Sequence, residues 1–269
     1  MSDSSMIASP ANPRVKSLVR LRRRADERRA AGRFTVETLR ELRRAVQSGF
    51  SVLELYVCPE RLAENAAGIF ELAGELGVHP VTITPAVLEK IAYRENPQGF
   101  IAVLAARSTA LAELRVVSPE LVIVLSGLEK PGNVGAIART AEAAGASAMF
   151  IDSPGFDLFN PNCIRASTGA VFALPVVCDE PASLRDWLKA HRIVTIALTP
   201  EAKLTHLHLD LRGPVAMVVG AEDRGLDEAW KTRADVRASI PMRSHAADSL
   251  NVSVSAAILL FDAMRQRVG

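Results

Sequence analysis

Three segments in the second half of the chain carry residue types suited to ligand chemistry, and each follows an apolar run. The first is Gly127-Leu128-Glu129-Lys130-Pro131-Gly132-Asn133-Val134-Gly135, leading into a helix with Arg139-Thr140. Its glycines let the backbone approach a ligand closely. Asn133 can cap the helix and also hydrogen-bond outward, and the Arg139 guanidinium can reach back toward the loop. The second is Val219-Gly220-Ala221-Glu222-Asp223-Arg224-Gly225, where a glutamate stands between two glycines. The third runs from Ile240-Pro241-Met242 through a polar loop to Asp248-Ser249-Leu250-Asn251-Val252-Ser253. Ser249 can cap the last helix, and the Asn251 amide in its first turn suits a ligand contact. A dinucleotide fingerprint is disfavoured, because the glycines Gly127, Gly132 and Gly135 do not form GxGxxG.

These loops need strands to hold them. Leu121–Leu125 is a continuous apolar run, as a central parallel strand should be. Further strands are expected at Ala148–Ile151, Leu174–Val177, Ile193–Leu198, Val215–Val219 and Val236–Ile240. Helices are expected at Asn133–Ala144 and Leu250–Arg267. This is a parallel α/β pattern, and such sheets bind ligands beyond the C-terminal ends of their strands.

The first half alternates as well. A helix is expected from Asn12-Pro13 to Ala31, stopping at Gly32, with Asn12 as its N-cap. A strand at Arg33–Val36, a helix at Glu37–Ser48 and a strand at Leu53–Cys58 follow. Then come a helix at Glu60–Leu76, a strand at Val81–Thr84, a short helix at Pro85–Ala92 capped by Thr84, and a strand at Phe100–Ala105. The expected organisation is a basic N-terminal helix and small α/β domain over 1–106, a linker over 107–119 and a second domain over 120–269.

The net charge is only +2, but it is unevenly placed. From Arg14 to Arg44 twelve Lys or Arg face four acids, a local net of +8. Such a segment implies an anionic partner, nucleic acid first, and Arg22, Arg23, Arg28 and Arg29 are its candidate RNA contacts. No run reaches roughly 18 uninterrupted apolar residues, and residues 1–10 lack a signal pattern, so a cytoplasmic location is expected. Cys58, Cys163 and Cys178 are too scattered for a disulfide framework or a zinc site and read as buried small hydrophobes; no metal is expected. His206 and His208, between leucines in an irregular stretch, read as surface residues, and His245 lies in the third loop.

Taken together, the three loops resemble the SpoU/TrmH branch of the SPOUT methyltransferases. The matching pieces are N-x-G-x-x-x-R-T at Asn133–Thr140, V-G-x-E-x-x-G at Val219–Gly225 and I-P-M…S-L-N-V-S-V from Ile240 to Val254, with Arg165-Ala166-Ser167-Thr168-Gly169-Ala170 between the first two. The first half is similar to the substrate-binding domain that some members carry, through Phe34-Thr35-Val36-Glu37 and Asn96-Pro97-Gln98-Gly99. Thr38 stands where the family usually has Gly, and Asp223 where Gly is common.

The resemblance implies a deep trefoil knot in the second domain, a rare exception to the rules of chain topology. It implies S-adenosylmethionine as cofactor, held by Leu198, Thr199, Val219, Gly220, Ile240, Met242, Leu250 and Asn251. It implies methyl transfer to a ribose 2′-hydroxyl of RNA, ribosomal RNA before transfer RNA, in a homodimer. A non-catalytic RNA-binding protein on the same fold is the alternative. Arg139 takes the main catalytic role. Arginine stays protonated at neutral pH, so a bidentate clamp on the adjacent phosphate suits it better than proton abstraction. Glu222 is the candidate proton acceptor or orienter of Arg139; Asn133, Ser249 and Asn251 would bond ribose, Arg139 or cofactor. Arg165 is a candidate second phosphate contact.

Overall fold

A computed structural model describes residues 6–115, 121–221, 224–243 and 249–268. The chain divides into two compact units. One takes in Met1–Arg107 together with Asp157–Phe172; the other takes in Ser108–Phe156 and Ala173–Gly269.

The first unit opens on α1 (Pro13–Arg23) and α2 (Ala25–Ala31). Asn12 caps α1 by accepting from the Arg14 amide, as its side-chain chemistry favours. The single helix expected over 13–31 is broken at Arg24, whose backbone is extended and whose guanidinium turns to Asp26. Gly32 ends α2 in the left-handed conformation, with φ at 59°, which a glycine adopts without steric cost. Strands β1 (Arg33–Val36), β2 (Val52–Val57), β3 (Val81–Thr82) and β4 (Phe100–Ala105) form a sheet in the order β1-β4-β2-β3. Only β2 and β3 run parallel.

Three helices complete this part of the chain: α3 (Leu39–Gln47), α4 (Ile69–Glu75) and α5 (Pro85–Ile91). The long helix expected over 60–76 does not form. Two short 3₁₀ turns precede α4, and the Ala63 amide is drawn off to the Gln98 carbonyl. Gly68 heads α4 where an added Cβ would stand 2.8 Å from Arg43 Nη2. Thr84 precedes α5, but its hydroxyl donates weakly to the Ala8 carbonyl at 3.4 Å rather than accepting from the helix.

Arg28 overturns its assignment as an RNA contact. Its side chain is 4% exposed and forms a two-point ion pair with Asp157, Nε donating to Oδ1 at 3.2 Å. It also donates to the Leu21 and Arg22 carbonyls. Arg22 is half-buried and donates to the Ala92 carbonyl, whereas Arg23 and Arg29 are exposed. Helix α7 (Pro161–Ser167) and the start of α8 (Ala170–Ala173) belong to this unit, and they bring aromatic rings with them. Phe34 stacks on Phe159 at 4.4 Å between centroids, and Phe172 packs on Phe34 and Phe50.

Removing one partner of a buried ion pair leaves an uncompensated charge and costs about 3–5 kcal/mol. Arg28→Ala should therefore lower stability by that amount in chemical denaturation, while Arg23→Ala should change it by less than about 0.5 kcal/mol. Equal, small effects would return Arg28 to the solvated surface.

The second unit is a parallel sheet of β5 (Leu121–Ser126), β6 (Ala148–Ile151), β7 (Val176–Cys178), β8 (Val194–Leu198), β9 (Val215–Gly220) and β10 (Val236–Ala238). Their order is β10-β8-β9-β5-β6-β7. All five pairings between these strands are parallel, and β5 and β9 at the centre are almost wholly buried. Helices α6 (Pro131–Ala143) and α11 (Val252–Val268) pack together and α11 packs on β9. Helices α9 (Pro181–Ala190) and α10 (Glu228–Arg233) contribute Leu184, Leu188 and Trp230 to a core with Val122, Val124, Phe150 and Val218. The α/β expectation with a parallel-sheet domain is thus met.

Two helix starts differ from expectation. Pro131 takes the first position of α6 with Lys130 ahead of it, so Asn133 lies inside the first turn rather than at the cap. Asn251, expected inside the first turn of the last helix, is instead its cap, Oδ1 accepting from the Ser253 amide at 2.9 Å. Ser249 is therefore not the cap. All three cysteines are buried and unbridged, as expected. His206 is buried at 8% exposure, against its surface reading, because the 3₁₀ turn at His206–His208 bonds its amide to the Ser239 carbonyl; His208 is exposed.

Candidate active site

Beyond the C-terminal ends of β8, β9 and β10 lies a cavity of about 320 Å³. Parallel strands stop together there, and their following loops must diverge, which leaves the opening. Leu198 and Thr199 come from the end of β8, Val219 and Gly220 from β9, Ile240 and Met242 from the loop after β10, and Ser249 and Leu250 from the approach to α11. All the expected cofactor residues except Asn251 line this one space.

Close backbone packing shapes one wall. Gly220 has no room for a side chain: an added Cβ would lie 2.3 Å from the Gly225 carbonyl carbon and 2.4 Å from the Leu226 nitrogen. The Gly225 amide donates back to the Ala221 carbonyl at 2.8 Å, closing the turn. Gly225 itself has φ at 69°, a conformation in which a side chain is strained. Glu222 and His245 lie outside the described residues.

A second, smaller cavity of about 170 Å³ is lined by Gly127, Lys130, Asn133, Ala221, Arg224 and Val252, among others. It shares Ala221, Arg224 and Val252 with the first, so the two adjoin. Asn133 thus stands beside the nominated cofactor residues. Arg139 does not line either cavity; it is exposed on α6, six residues on and so about 9 Å further along the helix axis. Arg165 is exposed on α7 and belongs to the first unit.

Sequence reasoning passed over two groups. Glu201 lines the larger cavity, and the Thr199 hydroxyl donates to its carboxylate. That bond, with an amide bond, lowers the Glu201 pKa, so it holds a negative charge there at neutral pH. Its position two residues after Thr199 was the available signal. Asp152, at the end of β6, is the other. One of its oxygens accepts the Gly127 amide at 2.8 Å and the other accepts the Trp230 indole N–H at 2.9 Å. It ties the first loop to the helix that follows the second loop, a link between distant segments that no local pattern displays.

Residues 120–261 match the model of the SpoU rRNA methylase family, and residues 12–102 match that of the MRM3-like substrate binding domain. The 23S rRNA (uridine(2479)-2′-O)-methyltransferase of Streptomyces viridochromogenes is 30% identical over 90% of this chain and 86% of its own. A crystal structure of an RNA 2′-O ribose methyltransferase superposes with a TM-score of 0.86 at 40% identity, covering 98% of this chain and 100% of that one. The SpoU methyltransferase AviRb from Streptomyces viridochromogenes, solved in complex with AdoMet, gives a TM-score of 0.85 at 29% identity, covering 96% and 99%.

Proposed function

This chain belongs to the SpoU rRNA methylase family, and from that premise we propose that it methylates a ribose 2′-hydroxyl of ribosomal RNA with S-adenosylmethionine. The observation that carries the reading is that the nominated cofactor residues at the end of β8, at the end of β9, after β10 and on the approach to α11 line one cavity.

The residues of that cavity fit the cofactor. Apolar side chains at Leu198, Val219, Ile240 and Leu250 suit a flat heteroaromatic ring, and the volume suits a nucleoside-sized ligand. The Glu201 carboxylate supplies a counter-charge for a cationic group. When bound, S-adenosylmethionine supplies a methyl group already activated on a sulfonium. The chain's task is to hold the ribose, orient its hydroxyl and take away its proton. Asn133 beside the smaller cavity is placed to hydrogen-bond the ribose. Arg139 would clamp the adjacent phosphate through its planar fork. Because it is exposed and distant from its own cavity, we assign it to the site of a second copy. Exposed Val254 and Phe261 on α11 support a homodimer, since an apolar helix face in water favours pairing. Glu222 remains the proposed proton acceptor and Ser249 a cofactor or ribose contact.

In this reading residues 1–106 carry the RNA-binding function, 107–119 connect, and 120–269 carry the knotted methyltransferase fold. Arg22, Arg23, Arg29 and Arg165 remain its proposed phosphate contacts, without Arg28. No helix among the described residues is long and apolar enough to cross a membrane, and no metal-binding cluster occurs among them. A cytoplasmic site of action fits a ribosomal RNA substrate.

The test is mapping of ribose methylation in 23S and transfer RNA incubated with protein and cofactor. A new 2′-O-methyl in 23S RNA is expected; modification of transfer RNA alone would move the substrate, and none in either would remove the reading. Asn251 offers a separate check. Its cap bond predicts a loss of about 1 kcal/mol on change to Ala. A cofactor or ribose contact in addition predicts a methylation rate at least about tenfold lower, one useful hydrogen bond in the transition state. Lost stability with an unchanged rate would make Asn251 a cap alone.

A further inference from the structure

The second unit holds another cavity, at the opposite, N-terminal end of β8. Its volume is about 600 Å³, and it is bounded by Val194 and Thr195 at the start of β8 and by the C-terminal ends of α9 and α10. Four cations line it: Arg185, Lys189, Arg192 and Arg233. Two carboxylates accompany them, Asp186 and Asp235. Asp235 is already engaged, accepting from the Thr195 amide at 2.8 Å and the Thr195 hydroxyl at 2.7 Å. The cations are therefore in excess around a hollow rather than matched one to one.

Two details mark this as more than a solvated rim. Arg185 lies over the Trp230 ring, its guanidinium carbon 5.3 Å from the centroid, within cation–π reach. Its Nη1 is buried and has no hydrogen-bond partner among the described residues, although a buried donor normally has one. Arg192 adopts φ at 55°, a left-handed conformation unusual for a side-chain-bearing residue. Glycine would occupy that backbone position with less strain.

We propose that this cavity binds phosphodiester groups of the RNA substrate at a distance from the methylated nucleotide. The chemistry is that of an oxyanion: Arg185, Lys189, Arg192 and Arg233 together place an excess of positive charge around the hollow. From Val194 to Leu198 the strand β8 rises roughly 13 Å, at about 3.3 Å per residue, so the site is separate from the cofactor cavity. A single short strand seated on the reacting ribose would leave it unused, whereas a folded RNA that wraps the unit would reach it. The inference rests on the RNA reading above and adds a second contact surface to it.

The test compares wild type with the triple variant Lys189→Gln, Arg192→Gly, Arg233→Gln. Binding is measured to in vitro transcribed 23S RNA and to a short oligonucleotide bearing only the methylated segment, across a salt series, alongside cofactor affinity and thermal stability. The long RNA should bind at least about tenfold more weakly, with the salt slope smaller by roughly 0.7–0.9 per lost phosphate contact. The short oligonucleotide and the cofactor should bind as before. Arg192→Gly alone should weaken binding of the long RNA without lowering the melting temperature. A variant that binds the long RNA with wild-type affinity and slope, while wild type methylates it, would overturn the site but leave the function standing. Parallel loss of melting temperature and cofactor affinity would also overturn it, since the cations would then be compensating helix ends. Failure of wild type to methylate any RNA would instead strike the underlying reading.

Discussion

Arg139→Ala is expected to abolish methyl transfer while leaving S-adenosylmethionine affinity within about twofold of wild type. The residue is exposed on α6 and lines neither cavity, so its loss removes nothing from the cofactor's surroundings. What it removes is a planar, permanently charged fork able to grip a phosphate at two points. Misplacing a reacting group by about 1 Å can lower a rate roughly 100-fold, so a fall of at least that size is expected in the turnover rate. Lysine keeps the charge but not the fork, and Arg139→Lys should fall between the two. Isothermal titration with the cofactor and single-turnover methylation separate the quantities. Near-normal turnover in the alanine variant would end the assignment, and a matched loss of cofactor affinity would place Arg139 in the pocket after all.

Gly220→Ala should have the larger effect on the fold. The added methyl would meet the Gly225–Leu226 backbone at 2.3–2.4 Å, which no side-chain rotation can relieve. Gly220 also pairs with Ser126 in the sheet, so it has little freedom to retreat. Overpacking of this kind costs typically 1–3 kcal/mol, and the upper end is expected where both parties are backbone. At about 2–4 °C per kcal/mol the melting temperature should drop by roughly 6–12 °C. Cofactor binding should weaken at least tenfold, because the displaced segment forms the cavity wall. Gly213→Ala is the control: nothing lies within 4 Å of its would-be Cβ. If both variants melted and bound alike, the tight approach at Gly220 would not matter to the site.

How much of this was readable beforehand depended on range. The apolar runs of β5, β6 and β9 announced a buried parallel sheet because burial on both faces removes alternation. Leu198, Gly220, Ile240 and Leu250 were named together through a motif resemblance, and they do line one cavity. Arg28 was misread because an arginine on a helix beside other arginines gives no sign of a carboxylate 129 positions away. The collapse of the 60–76 helix has a similar origin, since the Ala63 amide is taken by the distant Gln98 carbonyl and local propensity is overridden, whereas the break at Arg24 goes with a local turn of its guanidinium to Asp26. Asp152 was invisible for the complementary reason, since its two donors come from a loop and a helix far apart in the chain.

The path of the backbone bears on how the protein is made. The first unit is not finished when residue 107 has been synthesised, because Asp157–Phe172 belongs to it. Until then Phe34 lacks Phe159 and Phe172, and Arg28 lacks the carboxylate that neutralises it. At about 5–20 residues per second, translation from 107 to 172 takes on the order of 3–13 s, far longer than a hydrophobic collapse. During that interval the nascent chain presents an open aromatic face and an unpaired cation. A translating ribosome stalled between those points should yield a protease-sensitive amino-terminal half, and one stalled beyond 172 with the exit tunnel cleared a resistant one.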